Sequence, residues 1–241
     1  MMEFDMTDVS VMIGIPCGPD LPWQTLQSIV ETCLALRDKG IPFELKMVAG
    51  CSIVEQARSK VTYEFLQSSM NRLFMIDSDM QWKAQDFIRM LALSTKMDVV
   101  CAAYPAKRDA CTFMLKWGED ELVSNEYGCV PIDGVGLGFT IVHRGVIAEL
   151  SDNAPKLMFP GMDSPIAHIF RCDADNGAFR GEDMAFFADV KALGYKVNLD
   201  PNVSLGHVGT KTYTGSILDA MRREESHSTK DPYGSFLFSG A

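Results

Sequence analysis

The chain has 241 residues, 47% of them hydrophobic, with a formal net charge of −10 and a sequence pI of about 4.8. That length suits one generous domain, alone or with an appended tail, and the apolar content is enough for a sizeable core. The acidic balance argues against nucleic acid as the main partner, because duplex-binding modules usually carry a basic excess. No signal-peptide pattern opens the sequence, and no run approaches the ~20 apolar residues of a membrane span.

The seven cysteines are odd in number and form no C-x-x-C pair, which disfavours a zinc site or redox motif. A reducing, cytoplasmic setting is expected.

Residues 8–15 predict a buried first strand, followed by a Pro-Cys-Gly-Pro loop. Residues 22–39 predict a helix with Leu26, Ile29, Val30, Cys33, Leu34 and Leu36 at helical spacing, Pro22 in its first turn and Gly40 at its stop. A strand is expected at 42–49. A helix is expected at 52–69, opening with a Ser52/Glu55 capping box. Residues 72–77 predict the third strand, 84–95 a helix and 98–103 the fourth strand. This alternation indicates an α/β fold with a mostly parallel, doubly wound central sheet flanked by helices.

The character changes after residue 104. Short strands are expected at 111–117, 121–124 and 136–142, making a smaller antiparallel part in the second half. The turn Asp133-Gly134-Val135-Gly136-Leu137-Gly138 introduces the last of them. Residues 151–180 look loop-rich. A helix is expected at 181–193 and strands at 195–199 and 203–207. The domain is assigned to residues 1–210, and residues 211–241 to a C-terminal tail, either a segment that orders over the site when ligand binds or a plain disordered terminus.

Four features carry chemistry. The apolar run ending Asp77-Ser78-Asp79 places two acids two residues apart, which on an extended segment share a side. Two hard oxygen ligands suit Mg²⁺ or Mn²⁺, and the strand end is where open α/β sheets hold ligands. A surface turn is the alternative reading. Glu182 and Asp183 open a helix, where the dipole favours acids; either is placed for general-base work. His207 offers an imidazole to a metal or fills the core, and Lys211 follows close enough to neutralise a phosphate. Arg58 is a candidate fork for phosphate or carboxylate. The Gly134/Gly136/Gly138 run leads into a strand rather than a helix, so it is no dinucleotide loop, and neither a P-loop nor a nucleophile elbow is present.

In order, Phe74–Asp79, Gly181–Phe186 with Gly194, and Leu205-Gly206-His207 resemble the GT-A fold glycosyltransferases, especially stand-alone, family-2-like bacterial and viral members. The resemblance covers about residues 8–210. It implies transfer of a sugar from a UDP- or GDP-sugar to an acceptor hydroxyl with Mn²⁺ or Mg²⁺. Ile15, Pro16 and Gly18 match the base-binding loop, and Arg58 an arginine near the diphosphate. Asp77 and Asp79 match the D-x-D motif, His207 the late metal ligand, and Asp183 the catalytic base with Glu182 its neighbour. The Gly134–Gly138 turn matches a segment lining the sugar and acceptor. The acceptor stays open among glycan, lipid, protein and modified nucleobase. Two alternatives remain: a nucleotidyltransferase, disfavoured because the loop after the first strand lacks Lys and Arg, and a non-catalytic nucleotide-sugar binding module.

Overall fold

The computed structural model describes residues 3–118 and 123–223. The first half runs β1 (Val11–Cys17), α1 (Trp23–Asp38), β2 (Phe43–Ala49), α2 (Val54–Gln67), β3 (Arg72–Ile76), β4 (Met80–Gln81), α3 (Ala84–Leu93) and β5 (Val99–Cys101). Then come β6 (Leu115–Lys116), β7 (Val130–Ile132), β8 (Gly134–Val135), β9 (Phe139–His143), α4 (Arg144–Asn153), β10 (Lys156–Leu157) and β11 (Ile166–Ala167). The chain continues through β12 (Asp173–Asp175), β13 (Ala178–Arg180), α5 (Glu182–Ala192), β14 (Val197–Leu199), β15 (Leu205–Val208), β16 (Thr212–Gly215) and α6 (Ile217–Arg223). Among the described residues, no helix is long and apolar enough to cross a membrane.

The central sheet has the order β2-β1-β3-β9-β5-β14-β7. Its strands β2, β1, β3, β5 and β14 run one way, while β9 is antiparallel between β3 and β5, and β7 is antiparallel at the far edge. Alternation along β1 separates the two cores. Val11, Ile13 and Ile15 pack with Ile29 and Leu36 of α1 and with α3, while Met12 faces α2. The mostly parallel α/β sheet read from the sequence is therefore the observed one, and the strand expected at 136–142 lies inside it as β9.

The face of α1 differs from the expectation. The helix buries Thr25, Ser28, Ile29, Thr32 and Leu36, and leaves Leu26, Val30 and Leu34 exposed. Trp82 is the cause. Its indole N–H donates to Thr32 Oγ1 at 2.9 Å, and Ser28 Oγ donates to the Trp82 carbonyl at 2.8 Å. An unpaired buried indole N–H would cost about 1–3 kcal/mol, so two hydroxyls are drawn inward. The capping box at Ser52 also does not form: α2 begins at Val54 after Ile53, with no side-chain cap. Glu55 instead accepts from the Cys172 backbone N–H at 2.9 Å.

Several elements escaped the sequence reading. Helix α4 buries Val146, Ile147 and Leu150. The span read as loop-rich contains a hairpin, β12–β13, closed by Asn176 and Gly177 with φ of 50° and 82°. Part of the expected tail is folded: β16 pairs with β15, and Ile217 of α6 is buried in the core. Residues 224–241 of that tail, and 121–122 of the strand expected at 121–124, lie outside the described residues.

A Cβ at Gly14 would overlap Val61 Cγ1 of α2. Gly14→Ala is therefore expected to destabilise the fold by about 1–3 kcal/mol in urea unfolding, through forced separation of β1 and α2.

Candidate active site

The edge of the sheet at the carboxyl ends of β3 and β5 gathers the end of β3, the loop after β5, the glycine turn before β9 and the start of α5. Strand β3 ends at Ile76, and Asp77 N–H donates to the Gly138 carbonyl at 3.1 Å. The chain then turns: Met80 N–H returns to the Asp77 carbonyl at 3.2 Å. Asp77 and Asp79 thus do not sit on an extended segment, and their carboxylates diverge. Asp77 Oδ1 lies 2.9 Å from Arg58 Nη2. Asp79 Oδ2 lies 2.6 Å from Lys107 Nζ and 3.5 Å from His207 Nε2. Among the described residues, no three His, Cys, Asp or Glu side chains cluster to hold a metal ion. The turn at 77–80 is what keeps Asp77 from joining Asp79 and His207.

Arg58 sits beneath the site, with a side chain only 3% exposed. It also approaches Glu182 at 3.8 Å and Asp183 at 3.5 Å. Burial alone would lower its pKa, but Asp77, Asp183, Tyr104 and Glu182 together raise it, so the guanidinium stays charged. Its Nε and Nη1, and Asp183 Oδ1, are buried without a hydrogen-bond partner in the protein. Asp183 has its pKa pushed up to about 7: burial raises it most, Arg58 pulls it down, and Glu182 and Asp77 raise it further. The Leu137 backbone hydrogen-bonds its carboxylate.

Tyr104 closes this cluster and was missed in the sequence, where it lies in a loop with no motif. Its ring meets that of His207 edge-on at 5.1 Å between centroids. Burial, then Asp77 and Asp183, push its hydroxyl well above the usual phenol range. The glycine turn makes room for it. A Cβ at Gly136 would overlap the Tyr104 hydroxyl, and one at Gly138 would stand 2.6 Å from Asp77 Oδ2.

His207 is carried by β15, which pairs it with Met80 of β4 just past the turn. Its Nδ1 contacts the Pro105 carbonyl at 2.9 Å. That carbonyl only accepts, so Nδ1 holds the ring proton and Nε2 faces Asp79. Burial works to raise the Asp79 pKa, but its contacts with His207 and Lys107 hold it down at about 2, with Lys107 donating to Oδ2. Lys107 was also missed. Lys211 is exposed and pairs with Asp109 at 2.5 Å, bridging the loop after β5 to the loop before β16. Pro16 is buried in β1, and Gly18 lies exposed beyond it with open space around its Cα.

No protein-family model matches the chain, and no curated protein does. Solved structures do. A197 from STIV is 16% identical with a TM-score of 0.54, over 97% of this chain and 95% of its own. GalNAc-T7, solved with UDP, GalNAc and Mn²⁺, is 11% identical with a TM-score of 0.54, over 85% of this chain and 45% of its own. At such identities the likeness is one of fold, and the fold is GT-A-like.

The raised Asp183 pKa sets a pH signature. Against an ordinary value of 3.8, a folded value of about 7 means the folded state holds this proton more tightly. The associated stability is full below about pH 4 and is lost as pH rises through about 7. Asp183→Asn removes the titration. Its stability relative to wild type is expected to rise between pH 4 and pH 8, measured by urea unfolding at both.

Proposed function

We propose that this chain is a stand-alone, family-2-like glycosyltransferase that moves a sugar from a UDP- or GDP-sugar to an acceptor hydroxyl. The observation that carries the reading is the pairing of two half-sites at the sheet's ligand edge. One is Asp79 with the Nε2 of His207, whose Nδ1 is fixed on the Pro105 carbonyl. The other is Asp183, with its raised pKa, beside Arg58. The GT-A-like fold supports the same placement.

Asp79 and His207 bring a carboxylate oxygen and an imidazole nitrogen within 3.5 Å of each other, and this pair would hold a Mn²⁺ or Mg²⁺ ion. Such an ion supplies neutralisation of the charge that builds on the departing diphosphate. The chain's own residues do the rest. Asp183 takes the acceptor hydroxyl proton as that oxygen bonds to the sugar's anomeric carbon, while the electrons of the breaking C–O bond leave on the diphosphate. Near neutral pH its raised pKa leaves enough carboxylate to act as base and makes it strong enough to pull. Arg58 balances Asp77, Glu182 and Asp183, so that three acids share a pocket with an anionic donor. Tyr104 walls the pocket against water. Pro16 and Gly18 border the base, and Lys211 the diphosphate. The acceptor class, whether glycan, lipid, protein or modified nucleobase, is set outside these residues. A cytoplasmic setting is part of the proposal, supported by the odd number and wide spread of the seven cysteines.

Lys107 favours a second reading. An ammonium 2.6 Å from Asp79 Oδ2 stands where a metal would bind that carboxylate. A metal-independent transferase would use it to neutralise the leaving diphosphate.

Calorimetry with UDP and GDP separates the two. The metal-dependent reading expects binding only with Mn²⁺ or Mg²⁺, abolished by Asp79→Ala and weakened less by His207→Ala; equal affinity in EDTA that is lost in Lys107→Ala supports the second. In a sugar-nucleotide hydrolysis assay, Asp183→Asn is expected to lower kcat by about 10²-fold with donor affinity nearly unchanged. Near-normal turnover would remove Asp183 as the base.

A further inference from the structure

Strand β2 is an open edge. It pairs with β1 and, among the described residues, with no other strand. Seven residues of unpaired edge are a template for another strand, and natural edges are usually blunted by charge. Here Glu44 and Lys46 lie on the α2 side of the sheet, where Lys46 already pairs with Glu64 at 3.0 Å. On the other side, Phe43, Leu45 and Met47 are in register with Val11, Ile13 and Ile15, the residues that pack under α1. Leu45 and Met47 remain 41% and 38% exposed.

Helix α1 extends this apolar surface. Trp23, Leu26, Val30 and Leu34 are 66%, 51%, 48% and 44% exposed and follow one side of the helix. At about 100° per residue, Ser28 and Thr32 lie on one flank of the buried face and Leu26 and Cys33 on the other. Ser28 and Thr32 bond Trp82, next to α3, so the opposite flank leans toward β2. The exposed stripe and the open strand therefore make one patch. It holds six of the thirteen exposed large hydrophobics among the described residues.

The sequence of β2 states what covers it. When two copies of a strand pair antiparallel about a two-fold axis normal to the sheet, residues of the same face must oppose each other. Registers that keep the faces matched are centred on one residue. Centring on Glu44 sets Glu44 against itself, and centring on Lys46 sets Lys46 against itself. Centring on Leu45 sets Glu44 against the partner's Lys46 and Lys46 against the partner's Glu44. On the other face it sets Phe43 against the partner's Met47, with Leu45 meeting its own copy. Charges that repel a foreign strand of like pattern attract this strand's own copy in that one register.

We propose that the chain forms a two-fold dimer in which the β2 strands pair antiparallel about Leu45, joining the two central sheets and bringing the α1 stripes together across the axis. The proposal is independent of the activity, since β2 carries none of the residues assigned to the site.

Sedimentation velocity across the micromolar range tests it. Wild type is expected to dimerise reversibly. Glu44→Lys opposes lysines and Lys46→Glu opposes glutamates, each twice per dimer, so each variant alone is expected to weaken association about tenfold or more. Mixing the two variants restores attraction at both pairs, and a heterodimer is expected at concentrations where each is monomeric. That rescue also excludes misfolding as the cause of the loss. A monomeric wild type, a dimer indifferent to both reversals, or a mixture that stays monomeric would each overturn the proposal.

Discussion

One buried guanidinium organises the candidate site. Arg58 comes from α2, Asp77 from the end of β3, and Glu182 and Asp183 from the first turn of α5. Three carboxylates from two other elements converge on a single cation with almost no solvent contact. Without it they would repel one another in a poorly screened pocket, and removing one partner of a buried pair is far more costly than the pair's net contribution. The cost of burying Arg58 is offset only incompletely, because its Nε and Nη1 lack partners in the protein. The arrangement is thus held together by charge balance and left short of hydrogen bonds, a combination suited to receiving a polar ligand.

The same balance explains why the two aspartates of the D-x-D segment play different parts. Asp77 is committed to Arg58 and completes the buried network. Asp79, past the turn, is committed to Lys107 and His207. The turn is fixed from both sides: Asp77 N–H reaches Gly138, and the Asp79 carbonyl accepts from Val208 N–H at 2.8 Å. Directly after it, Trp82 anchors α1 through Ser28 and Thr32. The strand end, the turn and the first helix are therefore one unit, which is why the polar side of α1 faces inward and its apolar side is left to the surface.

Much of the fold was legible because it rests on local periodicity. Each helix and strand before residue 104, apart from the two-residue β4, showed as an apolar run bounded by Pro, Gly or polar residues. Position in the main sheet was not legible for β9, since insertion of an antiparallel strand between β3 and β5 is decided by long-range pairing. The Asn176-Gly177 turn of β12–β13 was a readable hairpin signal, hidden among the prolines of the surrounding loop. At the candidate site, Asp77, Asp79, Asp183, Arg58 and His207 were singled out because acids, a helical Arg and a strand His are conspicuous by type. Their grouping was not, because side-chain direction past a turn depends on φ and ψ rather than spacing. Tyr104 and Lys107 lie in a loop with no pattern, and only the steric need for Gly136 and Gly138 betrays Tyr104.

The contact between Asp79 and His207 imposes a last constraint. With the Nδ1 proton given to Pro105, Nε2 presents a lone pair to a carboxylate oxygen 3.5 Å away, and two acceptors at that distance repel unless a positive charge lies with them. Three species satisfy this: a second proton on His207, the ammonium of Lys107, or a divalent cation. The proton and the lysine are built into the chain, and Lys107 already occupies one oxygen of Asp79. A cation, as the proposed function requires, would therefore have to displace an internal competitor, which would tie its affinity to whatever draws Lys107 away. An anionic diphosphate is the natural agent, since it attracts the ammonium and offers the cation further oxygens in the same step. On the proposed function, donor and cation binding would in this way be coupled through one lysine, a coupling that the D-x-D spacing alone does not contain.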